Sequence, residues 1–212
     1  MSARGSVSLA RASVPAAVAV GFLGGTFDPP HLGHVALARA AMQELDLERL
    51  VVVVGGEPPH KHVETDAETR FQLAEAAFAD VANVELSRHE LDRAGPSYTV
   101  DTARWAAEQF PDPVFVVGAD EFADFLTWKD PDAVLAYARL AVATRPGYDR
   151  ETLEAVLAHV ERPERVRLFE LEPIPIASRD VRARVARGES IAPLVPTRVA
   201  RLIDELGLYR GA

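Results

Sequence analysis

The chain contains no cysteine. That excludes disulfides, thiolate metal sites and a cysteine nucleophile, and it fits a reducing, cytoplasmic setting. Long hydrophobic runs are missing as well: although 48% of the residues are hydrophobic, none of the runs approaches the roughly 20 residues of a membrane-spanning helix, so no membrane role is expected. Positive charge is in deficit, with 23 Lys and Arg against 32 Asp and Glu and a formal net charge of -9. Such a chain repels a polyanion, which argues against a nucleic-acid partner, although a small anionic ligand needs only a local cluster of donors. Neither of the common phosphate fingerprints occurs: there is no G-x-x-x-x-G-K-[ST] loop, and no G-x-G-x-x-G follows a strand. The chemistry must come from His, Lys, Arg, carboxylates, hydroxyls and backbone.

What is present is a soluble globular composition of 212 residues, enough for one well-buried domain. Residues 1–17 carry Arg4 and Arg11 ahead of an apolar stretch and superficially resemble a secretory signal. Cleavage there would cut into the glycine-rich loop that follows, so this segment is expected to be a disordered tail before a single domain over 18–210.

From Ala17 onward strand and helix signals alternate. "AVAVGFL" reads as a buried strand and Leu32 to Leu45 as a helix. "LVVVV" is a continuous β-branched run typical of a central parallel strand. Thr65 and Glu68 form a capping-box pair for a helix through about Ala79. A short strand at "VEL" precedes a helix that Ser97 or Thr99 can cap. "VFVVG", "RLAVAT" and "RVRLFEL" read as strands; "PDAVLAYA", "ETLEAVLAHV", "SRDVRARVARG" and "PTRVARLIDELG" read as helices. This alternation predicts an α/β fold: a Rossmann-like open, mostly parallel sheet with helices on both faces and a short helical part at the C-terminal end. Such sheets bind ligands at the carboxyl ends of their strands, where the strand order switches.

Three loops of unusual composition fall on that rim: "GGTFDPPHLGH" after the first strand, "GGEPPHK" after the second, and "GADEF" after "VFVVG". In the first, Gly24 and Gly25 allow close backbone approach, and His31 and His34 share the first turn of a helix. A helix N-terminus carries unpaired N–H groups and a positive dipole, which favours an anion, and two imidazoles add donors. A zinc reading would require a third ligand, with only His60 and His62 nearby, and is the weaker one.

The loop "GGTFDPPHLGH" resembles the H-x-G-H signature of the nucleotidyltransferase superfamily, in the form used by bacterial nicotinate-nucleotide adenylyltransferases. "PPHK", "GPSYTVDT", "GADEFADFLTW", "ATRPGY" and the late "GLY" are similar to that family's segments, in its order, from about Val18 to Tyr209. The resemblance implies ATP and nicotinate mononucleotide as substrates, Mg2+ carried on the triphosphate with no metal ligand from protein side chains, and deamido-NAD and pyrophosphate as products. It implies that His31 and His34 contact the ATP phosphates, with Gly24, Gly25, Thr26 and Phe27 shaping the loop around the nucleotide. Gly118 and Asp120, where the carboxylate would meet ribose hydroxyls, complete the ATP side.

On the acceptor side it implies phosphate binding by Lys61 and stacking of Trp128 on the pyridine ring, whose carboxylate would meet the backbone amides of Thr99 and Lys129. The family's I-S-S-T-x-x-R stretch, which holds the triphosphate, reads "IASRDVR" here: Ser178 and Arg182 match, whereas Ala177 and Arg179 replace a Ser and a Thr. Two neutral donors are lost and one cation gained, while the backbone N–H groups of the helix start persist. Two other readings stay open: a sibling transferase acting on nicotinamide mononucleotide or another phosphorylated acceptor, and a noncatalytic nucleotide-binding regulator. The oligomeric state, homodimer included, is not legible in the sequence.

Overall fold

Six strands form one sheet: β1 (Val20–Gly25), β2 (Arg49–Val54), β3 (Val84–Ser87), β4 (Val114–Gly118), β5 (Arg139–Thr144) and β6 (Val166–Glu170). The structure, a computed structural model, describes residues 19–59, 63–145, 149–172 and 174–211. The strand order is β3-β2-β1-β4-β5-β6, and every pairing is parallel. Parallel neighbours need crossovers, and among the described residues six helices supply them: α1 (Leu32–Glu44), α2 (Ala67–Phe78), α3 (Thr99–Gln109), α4 (Ala119–Ala123), α5 (Pro131–Tyr137) and α6 (Arg150–Leu157); α7 (Ser178–Ala186) and α8 (Thr197–Glu205) follow the last strand.

Both faces of the sheet are covered, which is why its central strands read as unbroken apolar runs rather than alternating ones. On one face Leu23, Leu50, Val52 and Val54 pack with Val35 and Ala38 of α1, Phe71 and Phe78 of α2, Val181 of α7 and Val199 of α8. On the other, Val20, Phe22, Val51, Val53 and Phe115 meet Val100 of α3, Phe122 of α4, Leu135 of α5 and Leu153 of α6. Phe22 stacks on Phe115 at a centroid distance of 5.1 Å. The strand order reverses direction between β1 and β4, so the loops leaving these two strands flank the crevice where such a sheet takes its ligand.

Three local expectations are corrected. The first strand does not stop at Leu23: Gly24 and Gly25 continue it, paired with Val53 and Val54, because ladder hydrogen bonding needs no side chain. The cap of α2 is Asp66, whose carboxylate accepts from the Thr69 N–H, rather than Thr65, whose hydroxyl turns to Asp28 instead. Helix α3 starts at Thr99, and its N-cap is Tyr98, which gives no side-chain cap. Ser97 accepts from the N–H groups of Gly56 and Glu57 and so ties two loops together. The tail over 1–17 lies outside the described residues. Among the described residues no helix is long and apolar enough to cross a membrane.

Candidate active site

The loop from β1 into α1 is set by aromatic packing from below. Phe27 takes a left-handed backbone (φ 54°), and its ring is buried against Gly25, where an added Cβ would lie 2.6 Å from the ring. Only glycine fits that contact. Phe27 also meets His34 edge-on at 5.0 Å, so its ring supports the histidines from the core.

His31 is the N-cap of α1 and its ring stacks on His34 at 3.8 Å. The His31 N–H donates to His34 Nδ1 at 3.1 Å, which leaves the proton of the neutral His34 ring on Nε2. His31 is 8% exposed, and its Nδ1 is sealed with no hydrogen-bond partner. Nε2 is therefore the nitrogen it can offer a ligand. The intervening Gly33 is required by the same packing, since a Cβ there would lie 2.9 Å from His31 Nδ1. Its N–H, at the second position of the helix, has no intrahelical acceptor.

Burial pulls the His31 pKa down to about 4, against a smaller upward pull from the Asp180 carboxylate. The ring is neutral at pH 7. A base whose folded pKa lies below its unfolded value of 6.5 binds its proton more readily in the unfolded chain, so stability falls as pH drops from about 6.5 to 4. Glu90 works in the opposite sense, because burial raises its carboxyl pKa, so comparison with His31→Gln isolates the histidine. The stability difference between wild type and His31→Gln should shift by about 2 kcal/mol between pH 7 and pH 5, read by urea unfolding at both pH values. A constant difference would mean that the His31 ring is not buried in solution.

Beneath the loop lie two charged residues that sequence reasoning passed over. The Asp28 carboxylate is buried and accepts from the Glu64 N–H (2.7 Å), the Thr65 hydroxyl (2.9 Å) and the Tyr209 hydroxyl (2.7 Å). Arg70 is 1% exposed and donates to the carbonyls of Thr26, Gly55, Gly56 and Thr65. These are the orphan carbonyls of the rim after β1 and β2, and the guanidinium caps them with a permanent cation. Asp28 stood inside the quoted motif. Arg70 gives no signal, since a lone arginine in an amphipathic helix ordinarily faces water.

Helix α7 starts against the same loop, with the Ser178 hydroxyl donating to the Pro29 carbonyl at 2.9 Å. Arg182 donates to the Asp28 carbonyl at 2.6 Å and pairs with Glu64 at 2.8 Å. Arg179 is exposed and only loosely paired with Asp180, at 3.7 Å. A concavity of about 450 Å³ on this side is lined by Arg179, Arg182, Glu64 and Tyr209. Two helix starts, α1 and α7, thus converge on one loop.

Across the crevice, Gly118 closes β4 with open space where a side chain would be, and Asp120 is exposed in the first turn of α4. The acceptor-side candidates share a corner. Lys129 sits with its ammonium 4.4 Å above the Tyr98 ring and 3.9 Å from Asp101, which brings it to the start of α3 beside Thr99. Trp128, partly buried, meets Phe125 edge-on at 5.2 Å. Lys61 lies outside the described residues. Among those described, no group of three His, Asp or Glu is placed to hold a metal ion.

The family model described as cytidylyltransferase-like matches residues 22–198. A protein of Moorella thermoacetica named "Probable nicotinate-nucleotide adenylyltransferase" is 42% identical, over 90% of this chain and 91% of the relative. One of the same name from Thermus thermophilus is 40% identical, over 90% of this chain and 99% of the relative. Among solved structures, the nicotinic acid mononucleotide adenylyltransferase of Plasmodium falciparum, described in complexes with APC and with NaAD, superposes with a TM-score of 0.72. It covers 90% of this chain and 96% of its own at 16% identity, a likeness of fold.

Proposed function

Because the chain belongs to the cytidylyltransferase-like family and, within it, to the nicotinate-nucleotide adenylyltransferases, we propose that it transfers the adenylyl group of ATP to nicotinate mononucleotide. The products are deamido-NAD and pyrophosphate, a step of NAD biosynthesis. The observation that carries this reading is the pair of stacked imidazoles at the start of α1, on the rim where β1 and β4 part.

In the reaction a phosphate oxygen of the mononucleotide forms a bond to the α-phosphorus of ATP while the bond from that phosphorus to the bridging oxygen breaks. Pyrophosphate leaves with the electron pair. The attacking phosphate is already ionised at neutral pH, so no general base is needed; catalysis consists of alignment and stabilisation of charge. His34 offers Nε2–H, His31 its Nε2 side, and the helix adds the Gly33 N–H. These donors are fixed before substrate arrives, so they need no reorganisation when charge develops. Arg179 and the N–H groups at the start of α7, that of Ser178 among them, extend the cradle toward the β- and γ-phosphates. The Mg2+ that accompanies ATP belongs to the nucleotide substrate and neutralises part of its charge. Gly118 leaves room for the nucleoside, and Asp120 accepts from its ribose hydroxyls. Lys61 is assigned to the acceptor's phosphate. The absence of cysteine suits the reducing cytoplasm to which we assign the activity.

Purified protein with ATP and Mg2+ should release pyrophosphate only when a phosphorylated acceptor is added, and most efficiently with nicotinate mononucleotide in a panel of acceptors. Release with none of them would leave a nucleotide-binding protein without this catalysis. A preference for a non-pyridine acceptor would move the chain to another transferase activity.

A further inference from the structure

The loop that carries the histidines is held from the far end of the chain. Four hydrogen bonds reach residues 28–32 from the last part of the fold: Ser178 hydroxyl to Pro29 carbonyl, Arg182 guanidinium to Asp28 carbonyl, Leu32 N–H to Leu194 carbonyl, and Tyr209 hydroxyl to Asp28 carboxylate. Loop positions are usually fixed by neighbouring sequence. Here the partners lie 149 to 181 residues away for the three side-chain ties.

Tyr209 ends this series and is built unlike an ordinary surface residue. Its backbone is left-handed (φ 58°), a region that disfavours any residue with a Cβ. Its phenol is kept protonated by burial and by the bond to Asp28. A hydroxyl that stays protonated beside a buried carboxylate is a donor with one fixed target. Asp28, in turn, lies three residues before His31, and its second oxygen holds the Glu64 N–H. Displacing Asp28 therefore displaces the chain from which the N-cap histidine projects.

We propose that Tyr209 is a positioning residue for the reaction, and that α7, the turn at Leu194 and Tyr209 form a clamp that holds His31 and His34 in their stacked, donor-ready arrangement. The phenol donates to the Asp28 carboxylate and acts through it. The proposal rests on the adenylyltransferase reading, but one of its measurements needs no substrate.

Tyr209→Phe removes the hydroxyl alone and leaves Asp28 with its Thr65 and Glu64 partners, so the variant should fold. Its kcat should fall about tenfold, with both Michaelis constants within about twofold of wild type, because a loosened loop costs alignment rather than affinity. In the same variant the His31 ring, followed by NMR in the free enzyme, should titrate about one unit higher, since burial is what holds its midpoint down, against the smaller upward pull of Asp180. Ile203→Val trims a buried side chain of α8 that makes none of the four hydrogen bonds. It should lower Tm while leaving kcat and the His31 midpoint unchanged. The clamp is refuted if Tyr209→Phe keeps wild-type kcat and an unmoved His31 midpoint, or if Ile203→Val reproduces both changes. A wild-type protein without adenylyl transfer would sink the functional reading alone, with the NMR comparison still deciding the clamp.

Discussion

Alanine at His34 or at His31 is expected to lower kcat by about 10²–10³-fold, the scale of losing one preorganised donor at a site of developing charge. The two rings are not interchangeable, although the expected losses are similar. His34 receives the His31 N–H on Nδ1, so the fold fixes Nε2 as the donor nitrogen of its neutral ring. His31 is neutral, with Nδ1 sealed, and a triphosphate beside it must either accept from Nε2–H or draw in a proton. Removing His34 also takes away the acceptor for the His31 N–H and the stacking partner of its ring. The double variant should therefore lose less than the product of the single losses, because the pair acts as a unit. Turnover at saturating ATP and mononucleotide, with circular dichroism as the check on folding, measures all three. A folded variant with wild-type kcat would strip that histidine of its role.

The second large effect concerns the acceptor. Nicotinate mononucleotide should exceed nicotinamide mononucleotide in kcat/KM by roughly 10²-fold or more, because a site built of donors leaves them unpaired when an NH2 replaces a carboxylate oxygen. Two features of the acceptor corner favour this outcome. Helix α3 begins at Thr99 with no side-chain cap, so its first N–H groups are open to an anion. The Lys129 ammonium is already engaged by the Tyr98 ring and the Asp101 carboxylate, which leaves recognition to backbone donors that cannot turn round to suit an amide. Trp128→Ala should raise the Michaelis constant for the acid about tenfold, the scale of one lost aromatic stack. The constant for ATP should hardly change. Equal kcat/KM for acid and amide would instead describe an enzyme of dual specificity.

The strands were readable because a parallel sheet covered on both faces writes itself as β-branched runs such as Leu50 to Val54, and the histidine loop because glycine and proline punctuate it. The six strands and the helices between them lie near where periodicity places them, except α4, which falls on the "GADEF" stretch read as a loop because five residues are too few to show a helical period. Caps were less legible: Thr65 and Asp66 are adjacent and both suit an N-cap, and only the tertiary demand of Asp28 for the Thr65 hydroxyl decides between them. The glycines of β1 read as loop because propensity describes side chains, whereas their pairing with Val53 and Val54 is a matter of backbone. Arg70 and Asp28 were hidden for another reason. Their burial depends on partners at Gly55, Gly56 and Tyr209 that no local pattern relates to them.

The distance along the chain between Asp28 and Tyr209 orders events during synthesis. A ribosome makes the histidine loop early, and the sheet strands that flank it can pair as they emerge. The hydroxyl that completes the loop's restraint is added 181 residues after Asp28. A nascent chain halted within α8 would already own both histidines and the crevice, yet would still lack its final tether, so full catalytic competence arrives only when translation has passed Tyr209.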